Sequence, residues 1–305
     1  MISVVIPIKN GGAGLVRCLE AIARQRTDEE VEVVVVDSGS SDGSPRRAES
    51  FGARVHSISP GEFHHGRTRN VGAELARGDV LVFTSQDAYA VGEHWLADLT
   101  SPLRSNACVA GVYGRQLPHE DARPPERFFL DFVYGPEPRV QHLEREEELS
   151  FEVTLFSNVN SALPRRVWQE YAFAEDIIMS EDQEWSRRVL IAGMTIVYEP
   201  KAMVHHSHSY SVGGALRRFF DSGVSAEKSY VGDGRASKAA LWSAGIRYAK
   251  SEMGWLWTTG QRRWIPYTAL YELAKFTGLQ LGRHHGHLPR RLRRRLSDYS
   301  QYWNA

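Results

Sequence analysis

Val80–Ala88 reads VLVFTSQDA, and its interpretation decides the fold. Apolar, β-favouring residues from Val80 to Phe83 run into a short polar turn that ends on a lone carboxylate, Asp87. A strand that stops on an acid is how an α/β sheet carries charge to its carboxyl edge, where such sheets bind ligands. Two roles are open to Asp87 on this stretch alone: a site residue, or the cap of the helix that follows.

Strand and helix patterns alternate around it. Ile2–Ile8 reads as a buried strand, Leu15–Gln25 has helical apolar spacing, and Val31–Val36 is a strand ending at Asp37. Ser44–Phe51 predicts a helix, Arg54–Ile58 a strand, and Thr68–Ala76 a helix leading to Val80. This alternation predicts an α/β fold with a mainly parallel, Rossmann-like sheet. Gly11, Gly12 and Gly14 have GGxG spacing rather than the GxGxxG of dinucleotide enzymes, so a turn into a helix is the better account of them.

Beyond Gly92 the pattern predicts a helix at Trp95–Leu103 and a strand at Ala107–Tyr113. A polar, proline-rich excursion follows over Pro118–Leu149, then a strand at Phe151–Asn158 and a helix at Glu181–Ile191. Thr195–Tyr198 and Ala202–His206 read as two short strands. Amphipathic helices at Ala215–Tyr230, Lys238–Trp257 and Pro266–Leu281 mark a shift in composition. We therefore expect an α/β domain over 1–212, which would hold the site, and a helical extension with a basic end over 213–305.

With 305 residues, 42% hydrophobic and 24% charged, the chain has the composition of an ordinary globular protein. Thirty-seven basic and 37 acidic side chains cancel, which argues against a nucleic-acid binder. The distribution is uneven: Arg283–Arg295 holds six arginines and three histidines with no acid. Cys18 and Cys108 lack metal-ligand spacing and read as reduced thiols of a cytoplasmic protein. The expectation is a soluble or at most peripheral protein, because no apolar run reaches the ~18 residues a span needs.

Four marks coincide in order and spacing: VVIPIKNGG, VVVVDSGSSDGS, the TSQDA turn and SEDQEWSRR. Together they resemble the GT-A-fold, inverting, nucleotide-sugar-dependent glycosyltransferases. EFHHGRTRNVG, TSQDA, HHSHSYS and the ending LPRRLRRRLSDYSQYW are similar more narrowly to bacterial rhamnosyltransferases. The resemblance implies a nucleotide-sugar donor, dTDP-L-rhamnose, and a saccharide or lipid-linked acceptor in surface polysaccharide synthesis. UDP-hexose or UDP-galactofuranose as donor, or a catalytically silent saccharide- or nucleotide-binding protein, are the alternatives.

Residue roles follow from the same resemblance. Asp37, with Ser38 beside it, matches the carboxylate that contacts uracil or thymine, and Pro7, Lys9 and Asn10 would wall the base. Asp87 matches a ligand of Mn²⁺ or Mg²⁺, the usual means of stabilising a departing diphosphate. Ser85 stands where many members carry a further Asp, so Asp87, with Ser85 and Gln86 lining the donor, needs other ligands. His206 is in the place of a metal-ligating histidine, and His208 shares its face of an extended segment as a phosphate or metal contact. Arg67, Arg69 and Asn70 begin a helix, which suits phosphate; an ion-paired structural Arg69 is the competing account. His64 departs from the family's Asn.

Glu181 and Asp182 match the family's acidic pair, with Asp182 as base. Ser180 and Gln183 also have capping-box spacing, and Trp185 is either an acceptor-stacking ring or a core residue. In the tail, Leu288, Leu292 and Leu296 form an apolar line flanked by arginines. That suits docking on an anionic membrane face, or packing on the protein's own surface.

Overall fold

Strong β-formers at the chain's start build the sheet that positions everything else. The computed structural model describes residues 1–231 and 238–304. The strands are β1 (Ile2–Ile8), β2 (Val31–Asp37), β3 (Arg54–Ser57), β4 (Val80–Thr84), β5 (Tyr89–Ala90), β6 (Val109–Leu117), β7 (Arg139–Gln141), β8 (Asn160–Pro164) and β9 (Thr195–His205). The helices are α1 (Gly12–Ala23), α2 (Ser44–Ser50), α3 (His65–Leu75), α4 (Trp95–Ser105), α5 (Pro124–Val133), α6 (Arg165–Glu170), α7 (Glu181–Ile191), α8 (Val212–Ala226), α9 (Lys238–Thr258), α10 (Ile265–Arg283) and α11 (Arg290–Leu296).

The sheet order is β3-β2-β1-β4-β8-β6-β9-β5, with β7 pairing off the path to β9. The run β3-β2-β1-β4 is parallel, as is β6 beside β9, and β8 enters antiparallel between them. Strand order reverses at β1, so the crevice between the carboxyl ends of β1 and β4 is the expected ligand position. Near-continuous Val/Ile runs such as VVVV in β2 reflect burial on both faces of the sheet. One core layer contains Val5, Phe83, Phe156 and Trp185, and the other Ile6, Leu15, Val82 and Trp95.

Several elements differ from the sequence-based expectation. The two strands expected over 195–206 are one strand, β9, whose pairing with β6 skips from Glu199 to Met203. Pro200 lies in that irregular stretch, and its missing N–H suits a bulge. Residues 151–158 form turns instead of a strand, because side chains take their backbone groups. Gln141 Nε2 donates to the carbonyls of Val153 at 2.6 Å and Leu155 at 2.9 Å. The excursion at 118–149 contains α5 and β7, and α3 begins at His65, three residues ahead of the expected start.

The C-terminal helices share apolar contacts with the segment preceding α7. Ile178 and Met179 cluster with Phe220 and Trp303, and Leu288 and Leu296 pack against the same group. Ser225 Oγ accepts from the Met179 N–H at 3.3 Å, and Ser229 Oγ donates to the Ser180 carbonyl at 3.3 Å. The helices after residue 212 therefore brace the turn that launches the acidic pair. The tail's apolar line is largely consumed in this packing, since only Leu292 among its three leucines is strongly exposed.

Candidate active site

The loops after β1, β2 and β4 are tied together by side chains that the turn sequences supply. Gln86 spans the crevice, accepting from the Lys9 N–H at 2.8 Å and donating to the Lys9 carbonyl at 3.2 Å. A Cβ on Gly11 would come within 3.0 Å of Gln86 Oε1, so the clamp requires glycine there. Asn10 sits at φ +51, accepts from the Ser41 N–H at 2.8 Å, and donates its own N–H to Ser40 Oγ at 2.8 Å. Asn, with its short polar side chain, is among the residues that tolerate this left-handed conformation.

Asp37 is 4% exposed, and its carboxylate accepts from the Gly39 and Ser40 N–H groups at 3.2 Å. Ser38 Oγ donates to the Ile8 carbonyl at 2.9 Å, which locks β2's end to β1. Oδ2 accepts from both amides and Oδ1 from Ser40 alone, so Oδ1 keeps a lone pair and this turn bonding is compatible with a base contact. Pro7 lies next to this junction, half-buried in β1.

Asp87, His206 and His208 come together. Continued outward, the antiparallel pairing of Tyr89 with His205 sets residue 87 opposite residue 207, flanked by the two histidines. Nε2 of His206 lies 3.8 Å from Asp87 Oδ1, and Nε2 of His208 lies 3.6 Å from Oδ2. One ligand atom from each of the three falls within 4.8 Å of the others. His205 turns away, bonding the Pro118 carbonyl through Nδ1 at 2.9 Å and stacking on Tyr89.

Gln116, which sequence reasoning missed, organises this cluster. Its Oε1 lies 3.0 Å from His206 Nδ1, while its Nε2 donates to Tyr134 Oη at 2.8 Å and Ser157 Oγ at 3.0 Å. The amide oxygen can only accept, so His206 carries its proton on Nδ1 and presents a lone pair at Nε2. Burial, with the neighbouring His208, pushes the His206 pKa down to about 3 against the pull of Asp87, so the ring is neutral at physiological pH. One carboxylate and two imidazoles aimed at a common point fit Mn²⁺ well and Mg²⁺ less well, because Mg²⁺ favours oxygen.

The acidic pair opens α7. Glu181 Oε1 pairs with Arg69 at 2.9 Å, and the two side chains are only 5% and 9% exposed. Asn158 Nδ2 donates to Glu181 at 3.3 Å, its N–H donates to Asp182 Oδ2 at 3.1 Å, and the Gln183 N–H donates to Asp182 Oδ1 at 2.9 Å. Burial raises Glu181, but the Arg69 guanidinium and then His65 outweigh it and hold the carboxyl below its usual range. Burial and the adjacent Glu181 charge push Asp182 up, to about 7. Two neighbouring carboxylates driven apart in this way form the pattern of an acid–base site.

Other expected roles are corrected. Ser180 makes no side-chain cap and adopts φ +62, so no capping box forms. Trp185 is fully buried, 4.8 Å from Phe156 and 6.1 Å from Phe173, with Gly111 making room for its ring, and no face meets a sugar. Arg69 is the ion-paired arginine just described. Asn70 is 5% exposed and bonds Trp168 Nε1, Phe173 and Glu175, so it is spent on the interior, while Arg67 pairs with Glu175 at 3.0 Å and stays half-exposed. The Ser85 carbonyl accepts from the Ala88 N–H at 3.1 Å and from Cys18 Sγ at 3.7 Å.

Arg69→Ala is expected to destabilise the protein by about 3–5 kcal/mol, because it strands the buried Glu181 charge. Urea unfolding measures this. The double variant Arg69→Met/Glu181→Gln should recover most of the loss.

Residues 3–172 match the family model described as glycosyl transferase family 2. The chain is 32% identical over 310 residues to the O-antigen chain rhamnosyltransferase WbaN of Salmonella anatum, covering 99% of this chain and 95% of that one. It is 32% identical over 312 residues to the O-antigen chain rhamnosyltransferase RfbN of Salmonella typhimurium, with 99% and 96% covered. The fold is similar to that of the mannosyltransferase PcManGT from Pyrobaculum calidifontis, solved with GDP-Man and Mn²⁺. That match has a TM-score of 0.60 at 16% identity and covers 92% of this chain and 86% of that chain.

Proposed function

The chain belongs to glycosyl transferase family 2, and on that premise we propose that it moves L-rhamnose from dTDP-L-rhamnose to a saccharide or lipid-linked acceptor. The transfer is inverting, metal-dependent and part of surface polysaccharide synthesis on the cytoplasmic side of the membrane. That the protein is a glycosyltransferase rests on its relatives. The site-level observation that carries the reading is one continuous network. His206 bonds Gln116, Gln116 bonds Ser157, and the next residue, Asn158, holds both carboxylates of the acidic pair.

In this reading Asp37, with Ser38, receives the base, and Pro7, Lys9 and Asn10 form the wall opposite. Asp87, His206 and His208 would hold a divalent cation, whose charge would stabilise the diphosphate leaving group. Ser85 and Gln86 line the donor beside it. Asp182 takes the proton of the acceptor hydroxyl as that oxygen bonds the anomeric carbon and the bond from that carbon to the diphosphate oxygen breaks. The proton rests on an Asp182 carboxylate oxygen, and the nucleoside diphosphate departs with the electron pair. Glu181, held ionised by Arg69, keeps Asp182 basic enough for this step. Burial is the main reason His206 and His208 are depressed, and the half-buried Arg218 of α8 adds to it as a nearby cation that would suit the diphosphate.

A donor panel tests the proposal. Incubated with Mn²⁺ or Mg²⁺ and pathway glycans, the enzyme should consume dTDP-L-rhamnose, with mass spectrometry detecting acceptors gaining one deoxyhexose. Preferential consumption of UDP-hexose or UDP-galactofuranose would replace the donor and keep the chemistry. Binding of nucleotide with no turnover of any donor would leave a silent binding protein.

A further inference from the structure

Charge is strongly divided along the chain. Residues 244–305 carry 11 lysines and arginines against three acids, Glu252, Glu272 and Asp298, although the whole chain is neutral. Two of those acids are withdrawn from the surface: Glu252 is fully buried and Glu272 pairs with Lys275 at 2.7 Å.

Within this cationic region the α9–α10 hairpin exposes large apolar side chains. Ile246 and Trp257 on α9 are 49% and 56% exposed, and Leu270 and Leu273 on α10 are 54% and 59% exposed. Ile246, Met253 and Trp257 recur at i, i+7 and i+11, one line along a helix, with Lys250 between them. Pro266, Leu270 and Leu273 make a second line at i, i+4 and i+7. The opposite faces are occupied: Tyr248 packs on Phe128 and Phe132 of α5, and Tyr271, Ala274 and Lys275 are buried. The connector adds exposed Arg262 and Arg263, and the Arg262 guanidinium lies 3.9 Å above the Trp257 ring.

Apolar lines bordered by Trp, Lys and Arg, with no exposed acid, match the headgroup level of an anionic bilayer. Among the described residues no helix is long and apolar enough to cross a membrane. The arginine-rich tail is the rival surface. Its Leu288 and Leu296 pack inward, and Arg293 donates to the Leu288 carbonyl at 2.8 Å, which leaves it charge without an apolar face.

We infer that the α9–α10 hairpin docks the protein on an anionic lipid bilayer. Trp257, Leu270 and Leu273 enter the acyl boundary, and Lys250, Arg262 and Arg263 reach headgroup phosphates. Docking there would hold the site beside a lipid-linked acceptor, a consequence that rests on the proposed transfer, whereas the docking itself does not.

Vesicle sedimentation of the full chain tests this. Wild type should sediment with vesicles of phosphatidylcholine mixed with phosphatidylglycerol and stay in solution with phosphatidylcholine alone. Leu270→Asp/Leu273→Asp should reduce the bound fraction by at least ~10-fold, since two buried leucines are lost from the apolar contact. The tail variant Arg291→Glu/Arg294→Glu should keep most of it. A thermal shift with dTDP on each variant reports that the donor domain is folded. Failure of wild type to sediment with anionic vesicles overturns the inference, as does loss of binding in the tail variant alone. A wild-type dimer that the hairpin variant converts to monomer, without vesicle binding, would make the face a contact between copies. Vesicle binding is read without sugar transfer, so it can fail while the donor panel succeeds.

Discussion

Asp182→Asn is expected to lower turnover by about 10²–10⁴-fold while leaving dTDP affinity unchanged, since the amide keeps the shape of the carboxylate but cannot accept the acceptor's proton. The pH profile separates this from a structural effect. Asp182 sits half-buried in the first turn of α7, where desolvation and the Glu181 charge push its carboxyl up to about 7, so wild-type turnover should rise with pH through that value and level off above it. The variant's residual activity should lack the rise. Stability moves the other way. Between the ordinary carboxylate value of 3.8 and about 7, the folded chain holds a proton that the unfolded chain has released. The group's contribution to stability therefore falls as pH rises across that window. Asp182→Asn should accordingly melt higher than wild type at pH 8 and close to it at pH 4. An unchanged turnover in the variant would remove Asp182 from the chemistry.

Asp87→Ala is expected to abolish the Mn²⁺ dependence of donor binding with the fold intact. The carboxylate supplies the only negative charge among the three ligand atoms, and its oxygens face both imidazoles at 3.6–3.8 Å. Loss of even an outer contact to a metal ligand typically costs about 10–100-fold in affinity, and loss of the sole anionic ligand should cost more than that. Calorimetric titration of dTDP with and without Mn²⁺ measures the coupling, and far-ultraviolet circular dichroism reports the fold. If the variant keeps the metal dependence, Asp87 returns to being the acid that ends a turn.

Local patterns made the frame legible because they depend on neighbours in sequence. The apolar, β-branched runs IPI, VVVV and VLVF, each bounded by turn residues, read as strands of a covered sheet, and the acids at the ends of β2 and in the turn after β4 mark its carboxyl edge. The helix at Glu181–Ile191 appears with the expected bounds. HHSH carried its geometry in its spacing, since residues two apart in an extended segment share a side, and His206 and His208 both turn to Asp87.

Contacts between distant segments were not legible. Gln116 has no motif, and it matters only because β6 and β9 pair in parallel and bring it beside His206. Asn158 serves the acidic pair from a stretch that reads as a strand. Arg69 and Trp185 have residue types that suit a ligand site, and each is spent on the interior, one on the Glu181 charge and the other on a ring cluster.

The sequence by itself therefore determined the alternating α/β frame, the carboxyl-edge acids and the histidine pair, because each rests on periodicity of 2 or 3.6 residues or on a strand's end. Only the tertiary structure decided which polar residues face the crevice and which are ion-paired beneath it. Only the tertiary structure, too, set where the cationic extension keeps an apolar surface. Leu288 and Leu296 of the tail look free in sequence but pack against Phe220 and Trp303, while Leu270 and Leu273 stay more than half exposed. Burial is a property of the packed whole, and the same amphipathic spacing serves a core or a surface according to what lies across from it.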